Sequence, residues 1–236
     1  MNNVYLTIVI PCFNEKKTIL KVINQIKRLK SIKKQIILVD DCSFDGTKEI
    51  IKKKIKKKVD HVVFHNRNKG KGASIISSQK FIKGNVVLIQ DADLEYNPKD
   101  IIKIYNFIKK NQIDVVYGSR VLNKNKYQNT KNFTHLVRIW GNVFLTLVSN
   151  LINNQNLTDA HTCYKMIRAR LFKKLNLREK GFAFCPEVTT KLSKMNCKIY
   201  EISISYNGRT YSDGKKITSI DGLIALISLI KYRLLD

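Results

Sequence analysis

Two aspartates one residue apart, Asp91 and Asp93, follow directly after the predicted strand at residues 86–90. Acidic residues are scarce in this chain, with 18 Asp and Glu against 44 Lys and Arg, so a close carboxylate pair opposes the overall bias. Carboxylates held together bind hard cations such as Mg²⁺ or Mn²⁺, which bridge phosphate oxygens and offset the charge of a departing diphosphate. The alternative is an aspartate cap ahead of a helix that Pro98 begins.

Four further polar or glycine-rich segments each follow a predicted strand. Ligands of parallel α/β sheets bind beyond the carboxyl ends of the strands, where such segments meet. One segment of this kind is usually turn or cap chemistry, but five at the same edge favour a binding site. The four segments are residues 11–15, 40–47, 66–73 and 118–120.

The elements that must position these segments alternate in type along the first 120 residues. Continuous β-branched runs predict buried strands, and apolar residues at helical spacing predict helices between them. Strands separated by helices of about 10 to 15 residues imply a mostly parallel sheet. The predicted strands are 6–10, 35–39, 61–64, 86–90 and 115–117, and the predicted helices are 16–30, 45–58, 72–82 and one that begins at 97–98.

The second half of the chain is less regular. Residues 121–132 are rich in Asn and Lys without periodicity, which predicts a mobile loop. Residues 133–152 predict an unusually apolar helix. The remaining predicted elements are a strand at 164–167, a helix at 187–194, a strand at 199–206 and a final helix at 217–234.

Composition limits the class of protein. The 236 residues carry a net charge of +26, and 44% of them are hydrophobic, which excludes a disordered polyelectrolyte. A pI near 9.9 indicates anionic partners such as nucleic acid, anionic lipid or phosphorylated substrates. The alternative cause of the lysine excess is the coding bias of an AT-rich genome.

Membrane and compartment signals are sparse. No run of 18 apolar residues could span a bilayer, and residues 4–10 lack the basic leader of a signal peptide, so we expect them to form the first strand. The five cysteines include no CxxC pair, which supports neither a zinc site nor a disulfide framework. We therefore expect small buried thiols in a reducing cytoplasm.

The segments taken together resemble family 2 glycosyltransferases of the GT-A fold. The matching residues are Thr7-Ile8-Val9-Ile10-Pro11 with Asn14-Glu15, Val39-Asp40-Asp41-Cys42-Ser43 with Asp45-Gly46-Thr47, Asn68-Lys69-Gly70-Lys71-Gly72-Ala73, and Asp91-Ala92-Asp93-Leu94. Gly118-Ser119-Arg120, with Arg209 and Gly214-Lys215-Lys216, is similar to the dolichyl-phosphate mannosyltransferase, or polyprenyl-phosphate sugar synthase, branch. The resemblance covers about residues 5–216.

This resemblance implies an α/β fold with a Rossmann-like, mostly parallel sheet, flanking helices and a C-terminal helical elaboration. It implies one domain over residues 1–236, with a nucleotide-binding half at about 1–120 and an acceptor-binding half at about 121–236. The nucleotide sugar would contact Pro11, Asn14, Glu15, Asp41, Gly70, Lys71, Asp91 and Ala92.

The resemblance also implies the reacting groups. Mg²⁺ or Mn²⁺ would bind Asp91, Asp93 and Glu95, although the branch often has Gln at the last position. Arg120, Arg138, Arg209 and Lys215 would hold an acceptor phosphate, since guanidinium groups bind phosphate bidentately. The catalytic residues would be Asp93, Arg120 and Glu187. An acceptor hydroxyl needs a general base, either Glu187 or Asp159, whereas an anionic phosphate needs none.

The implied reaction is a single displacement that inverts the anomeric carbon. It moves a hexose from a GDP- or UDP-linked donor to a polyprenyl phosphate at the membrane surface. One alternative is a GT-A transferase that uses a UDP-sugar and a hydroxyl acceptor. The other is a polyanion-binding protein, but the chain lacks aromatic stacking patterns and motifs for nucleic acid, so we expect no nucleic-acid partner.

Two apolar helices bear on the membrane question. Residues 133–152 and 223–235 combine apolar stretches with basic rims, including Lys231 and Arg233, which suits an anionic bilayer. The same helices could instead pack on the sheet or in a dimer. We expect a cytoplasmic protein. If the two helices contact a membrane, we expect that contact to be peripheral and at the cytoplasmic membrane face.

Overall fold

The computed structural model describes residues 5–122, 133–209 and 219–235, and this part of the chain forms seven strands and eight helices. The strands are β1 (Leu6–Cys12), β2 (Lys34–Asp40), β3 (His61–Phe64), β4 (Val86–Ile89), β5 (Val115–Ser119), β6 (Lys165–Arg168) and β7 (Tyr200–Ser203). The helices are α1 (Ile19–Lys27), α2 (Thr47–Ile50), α3 (Lys71–Ser78), α4 (Asp100–Asn111), α5 (Phe133–Asn153), α6 (Ala169–Lys174), α7 (Phe184–Lys194) and α8 (Ser219–Leu234).

A single sheet holds all seven strands in the order β3-β2-β1-β4-β6-β5-β7. Every strand pair is parallel except those of β6, which runs antiparallel to both β4 and β5. The predicted mostly parallel sheet is confirmed. The carboxyl ends of β1, β2, β3, β4, β5 and β7 all lie at one edge, which brings the polar segments that follow them together.

Burial of the central strands on both faces explains their apolar sequences. All seven residues of β1 and all four of β4 are buried, and they belong to one hydrophobic cluster with helix side chains such as Ile19 and Ile104. Apolar surface removed from water contributes about 25 cal/mol per Å², so this layer supplies much of the stability. The sheet edge can therefore hold polar loops on a rigid base.

The predicted helix at 45–58 is only partly regular. Helix α2 continues as a π-turn over Ile51–Ile55 and a 3₁₀ turn over Lys56–Lys58. Ile51 and Ile55 are fully buried while the lysines stay exposed, as their four-residue spacing predicts for a regular helix as well. The short helix α6 was not predicted, and most of the predicted loop at 121–132 lies outside the described residues.

Helices α5, α7 and α8 pack against one another. Large apolar side chains of α5 and α8 nevertheless face away from the protein in two helical stripes, which we call the α5–α8 apolar face. It comprises Trp140, Phe144, Leu147 and Leu151 of α5, and Ile220, Leu223, Ile227, Ile230 and Leu234 of α8. Among the described residues, no helix is long and apolar enough to cross a bilayer.

Candidate active site

A cavity of about 300 Å³ lies at the edge of the sheet where the parallel strands end. Its lining brings together ten of the residues predicted from the sequence, which belong to five separate segments of the chain. They are Pro11, Glu15, Asp41, Gly70, Lys71, Asp91, Ala92, Asp93, Glu95 and Arg209. The other lining residues are Cys12, Phe13, Asn68, Ser74 and Phe182.

The first two loops of the site are hydrogen-bonded to each other. The backbone N–H of Asn14 donates to Ser43 Oγ at 2.9 Å, and the Asn14 side chain accepts from the backbone N–H of Phe44 at 3.0 Å. The N–H of Glu15 donates to Thr47 Oγ1 at 2.8 Å. Asn14 thus braces the loops and is not among the lining residues, whereas Glu15 is.

Asp41 supports the glycine-rich loop from beneath. Its Oδ1 accepts from the backbone N–H of Lys69 at 2.9 Å, and its Oδ2 accepts from that of Gly70 at 2.7 Å. His65 Nδ1 lies 2.6 Å from Oδ1, and the other His65 ring nitrogen contacts Ser77 at 2.9 Å. Asp41 therefore positions the loop that carries Lys71, and its role toward a base or ribose stays a prediction.

The glycines of this loop are required by the protein's own backbone. A Cβ on Gly72 would lie 2.0 Å from the carbonyl oxygen of Glu179, and one on Gly70 would lie 2.4 Å from that of Lys180. Gly70 also has a φ of +94°, and the N–H of Ala73 donates to the Lys180 oxygen at 3.0 Å. The segment at residues 179–181 therefore packs on this loop, and the contact of Gly70 with a nucleotide stays a prediction, since Gly70 also lines the cavity.

Glu187 is positioned away from the cavity. Its buried carboxylate accepts from the backbone N–H groups of Arg178 at 2.7 Å and Glu179 at 2.9 Å, and from Lys191 Nζ at 2.9 Å. It does not line the cavity. The predicted catalytic role of Glu187 is not supported by this geometry, because its oxygens hold the segment that packs on the glycine-rich loop.

Lys71 and Asp91 form an ion pair inside the cavity. Lys71 Nζ lies 2.6 Å from Asp91 Oδ1 and 3.3 Å from Cys163 Sγ. Burial acts to lower the pKa of Lys71, but the charge and hydrogen bond of Asp91, together with Cys163 and Cys185, raise that pKa well above its usual value. The site therefore keeps a permanent cation beside the first aspartate.

Asp93 is surrounded by charges of both signs. Arg209 Nη2 lies 3.0 Å from Asp93 Oδ2, and the same guanidinium donates to Glu15 at 3.0 and 3.2 Å. Burial, with the nearby carboxylates of Asp91 and Glu95, raises the pKa of Asp93 to about 7, although Arg209 acts to lower it. Negative charge is thus concentrated at this position beyond what Arg209 neutralises.

Glu95 does not complete a three-ligand metal cluster. Its carboxylate accepts from the backbone N–H of Arg209 and from the Tyr206 hydroxyl, both at 2.7 Å. Within residues 5–122, 133–209 and 219–235 there is no group of three His, Cys, Asp or Glu side chains arranged to hold a metal. Mg²⁺ needs only one or two carboxylates when substrate phosphates supply other oxygens, and the crowded charge at Asp91 and Asp93 fits that donor set.

Arg120 and Asp159 form a buried bidentate pair outside the cavity. Arg120 Nε and Nη2 donate to the two Asp159 oxygens at 2.7 and 2.8 Å, and the Arg120 guanidinium lies over the Tyr206 ring at 5.1 Å. Despite burial, the charge of Arg120 lowers the pKa of Asp159 to about 2. Asp159 is thereby a poor general base, and Arg120 is already engaged by an anion.

Two predicted phosphate ligands cannot be placed in the site. Lys215 and the side chain of Arg138 lie outside the described residues. Sequence reasoning missed other residues that the fold brings to the site: His65 beneath the loop, Cys163 beside Lys71, Phe182 in the lining and Tyr206 against Glu95. None stands in a recognisable spacing, so only the fold reveals them.

Sequence comparison gives one family. The profile described as Glycosyl transferase family 2 matches residues 7–176. The chain is 27% identical to the UDP-N-acetylglucosamine–dolichyl-phosphate N-acetylglucosaminyltransferase of Methanococcus voltae, over 87% of this chain and 86% of that protein. It is 25% identical to the dolichol-phosphate mannosyltransferase of Pyrococcus furiosus, over 89% of this chain but only 58% of that protein.

Structural comparison agrees on the fold. The crystal structure of glucosyl-3-phosphoglycerate synthase from Mycobacterium tuberculosis, in complex with Mn²⁺, UDP and phosphoglyceric acid, superposes with a TM-score of 0.70. The alignment covers 99% of this chain and 80% of that one at 15% identity. This likeness shows a GT-A fold for the chain, as the sequence analysis predicted.

Proposed function

The chain belongs to glycosyl transferase family 2, and on that premise we propose that it transfers a hexose from a nucleotide diphosphate sugar to a polyprenyl phosphate. The observation that carries the proposal is the cavity in which Asp91, Asp93, Lys71 and Arg209 lie together. Carboxylates for a metal and cations for phosphate are the groups that a departing diphosphate requires.

The donor occupies the edge cavity in this account. Asp41 and Phe13 lie in the lining with Lys71 and the two aspartates, so the base and ribose bind toward the former and the diphosphate toward the latter. The lining draws Phe182 and Arg209 from the predicted acceptor half, so both halves of the proposed single domain contribute to donor binding.

A divalent cation, Mg²⁺ or Mn²⁺, would be held by Asp91 and Asp93 and would supply charge neutralisation to the diphosphate. Lys71 adds positive charge in the same cavity and would orient the diphosphate. The acceptor oxygen approaches the anomeric carbon on the side opposite the diphosphate. A single displacement then inverts the configuration, and no side chain forms a covalent intermediate.

The engagement of both candidate bases favours a phosphate acceptor over a hydroxyl. Glu187 holds backbone N–H groups outside the cavity, and the pKa of Asp159 is about 2 because of Arg120. A hydroxyl needs a base to remove its proton, whereas an acceptor phosphate is already anionic. Arg209 is the described residue placed to contact that phosphate, with Arg120, Arg138 and Lys215 as further candidates.

The α5–α8 apolar face supports a membrane-surface acceptor. Trp140 is 70% exposed and Leu151 is 76% exposed, which is unusual for such side chains on a protein surface. A polyprenyl chain remains in the bilayer while its phosphate reaches the enzyme. The net charge of +26 would draw this face to anionic lipid, which places the protein peripherally at the cytoplasmic membrane face.

Slow donor hydrolysis tests the donor half of this proposal. A panel of UDP- and GDP-linked hexoses is incubated with the protein and Mg²⁺ or Mn²⁺, and release of nucleoside diphosphate is measured. One donor should be hydrolysed, and Asp93→Asn should abolish its hydrolysis. Asp114→Asn, which removes an exposed carboxylate paired with Arg170 at 2.9 Å, is the matched control and should be active. Equal activity in Asp93→Asn would refute the metal assignment.

A further inference from the structure

A second cavity, of about 980 Å³, lies next to the start of β7, at the opposite end of the parallel strands from the candidate active site. Its walls are the carboxyl-terminal ends of α5 and α7, the segment before β7, and Arg233 near the end of α8. Because β7 runs parallel to β5, the segment that enters β7 lies at the edge away from the donor cavity. The two cavities share no lining residue.

Carboxamides and cations dominate the lining of this second cavity. Of the described residues that line it, five carry a side-chain amide, three carry a positive charge and none is acidic. The lining residues are Asn153, Asn154, Gln155, Asn156, Ser193, Lys194, Asn196, Cys197, Lys198, Ile199 and Arg233.

Two of the asparagines have a structural explanation. Asn154 and Asn196 follow the ends of α5 and α7 with φ of +48° and +54°, a conformation that Asn tolerates at helix ends. The residue after each one donates its N–H five residues back, from Gln155 to the Asn150 oxygen at 3.2 Å and from Cys197 to Leu192 at 3.0 Å. Helix ending therefore accounts for these two positions but not for the other amides or for the cations.

Asn153 points to a ligand. It is 1% exposed, and its Nδ2 donates to Ser149 Oγ at 3.3 Å. Its Oδ1 is buried without a hydrogen-bond partner among the described residues. A buried acceptor without a donor is unfavourable, and because Asn153 belongs to the lining, rotation of its carboxamide toward the cavity would let a ligand hydroxyl satisfy it.

We propose that this cavity binds a phosphorylated polyol, either a soluble sugar phosphate or the sugar-phosphate headgroup of a lipid. Carboxamides both donate and accept, which matches sugar hydroxyls, and Asn153 Oδ1 requires a donor. Lys194, Lys198 and Arg233 provide charge for the phosphate. Arg233 lies on α8, next to the exposed Leu234 at the end of its apolar stripe, so a lipid bound by that stripe would have its headgroup near this cavity. The proposal does not depend on the transferase assignment.

Calorimetric titration of the full chain with glucose 6-phosphate tests the soluble source. Saturating UDP and Mn²⁺ are present so that the donor cavity is filled. Binding should be at least tenfold tighter than that of inorganic phosphate or of methyl glucoside, since each probe offers half of the chemistry. Phosphate binding of equal strength would contradict the proposal. Glucose 6-phosphate binding that is seen without UDP but lost in its presence would also contradict it, because that binding would lie in the donor cavity.

Vesicle capture tests the lipid source. Vesicles of phosphatidylcholine with phosphatidylinositol should bind more protein than vesicles with the same fraction of phosphatidylserine, because both lipids carry one charge but only the former carries a polyol. Preference in this arm without binding of glucose 6-phosphate assigns the cavity to a headgroup. If neither arm shows polyol-dependent binding, the proposal is wrong.

Variants locate the binding. The double variant Lys198→Gln/Arg233→Gln should weaken binding at least tenfold in whichever assay, glucose 6-phosphate titration or vesicle capture, shows polyol-dependent binding. The control Lys53→Gln/Lys57→Gln removes the same charge from exposed positions and should bind like the parent. Asn153→Leu should weaken binding as well. If Asn153→Leu lowers the Tm too far for titration, the double variant Lys198→Gln/Arg233→Gln decides alone. Unchanged binding in that variant would overturn the proposal.

Discussion

Arg209 Nη2 donates to Asp93 Oδ2 at 3.0 Å, and this contact joins residues that are 116 positions apart in the sequence. The guanidinium also reaches Glu15, so one cation holds the loop after β1, the aspartate segment after β4 and the segment after β7 together. The positive charge that stabilises this edge without substrates is therefore the same charge proposed to hold a phosphate during transfer. A metal bound at Asp93 would compete with Arg209 for that carboxylate, which would lower the affinity of the site for the metal.

The pH dependence of metal binding follows from the pKa of about 7 at Asp93. A carboxylate must be ionised to ligate a cation, so Mn²⁺ affinity should rise with pH up to about 7 and level off above it. Below that value the affinity should fall about tenfold per pH unit. Calorimetric Mn²⁺ titrations across this range measure the slope, and Asp93→Asn should lose it. A flat profile in the parent protein would be inconsistent with Asp93 as a ligand.

Removing Arg209 should change metal binding in two opposite ways. Arg209 lowers the pKa of Asp93, so in Arg209→Gln the midpoint of the pH profile should move above 7. At still higher pH, Mn²⁺ should bind about tenfold more tightly, because a charge-assisted hydrogen bond no longer competes for Asp93. Arg170→Gln, which removes an exposed guanidinium, is the control. Parent-like affinity of Arg209→Gln at high pH would show that the guanidinium does not compete.

The glycine-rich loop should not tolerate a methyl group at residue 72. In Gly72→Ala the new Cβ would overlap the Glu179 oxygen at 2.0 Å, so the free energy of unfolding should fall by about 1 to 3 kcal/mol and the donor KM should rise. Gly141→Ala is matched, since a Cβ there meets nothing within 4 Å and Ala favours a helix by up to about 1 kcal/mol. Thermal unfolding compares the two variants; equal Tm values would argue against the packing of residues 179–181 on this loop.

The apolar face should determine membrane binding. Leu147 and Ile227 are each 56% exposed, on α5 and α8. The double variant Leu147→Gln/Ile227→Gln should reduce partition onto phosphatidylserine vesicles by about tenfold or more. Each of the two aliphatic side chains would contribute about 1.5 to 3 kcal/mol when the bilayer buries it. Leu122→Gln alters an exposed leucine outside this face and should leave flotation unchanged. A double variant that floats like the parent would rule out this face as the lipid contact.

Much of the fold could be predicted because its signals are local. The apolar runs of β1, β2 and β4 and the helical spacing of α1 and α4 lie within short windows, so the strand–helix alternation and the parallel sheet followed from them. The aspartate pair and the glycine-rich loop were also recognisable as short motifs. Their convergence in one cavity follows from the strand directions, which is why those residues were predicted together.

The remainder of the site depends on contacts between residues that are far apart in the sequence. Glu187 resembles a base in the sequence, but folding places it against backbone N–H groups of Arg178 and Glu179. Arg120 resembles a phosphate ligand, yet Asp159 binds it from 39 positions away. The π-turn at Ile51–Ile55 has no local signal, because the four-residue spacing of its two isoleucines also suits a regular helix. Such features are set by tertiary packing.

Transfer to a matched pair of acceptors tests the central claim most directly. The purified protein is incubated with its labelled nucleotide sugar, Mn²⁺ and vesicles that contain either a polyprenyl phosphate or the corresponding polyprenol. The account predicts a labelled polyprenyl-phosphate sugar with the first acceptor and no labelled lipid with the second, because neither Glu187 nor Asp159 is placed to activate a hydroxyl. Efficient transfer to the polyprenol, or no transfer to the phosphate, would contradict it.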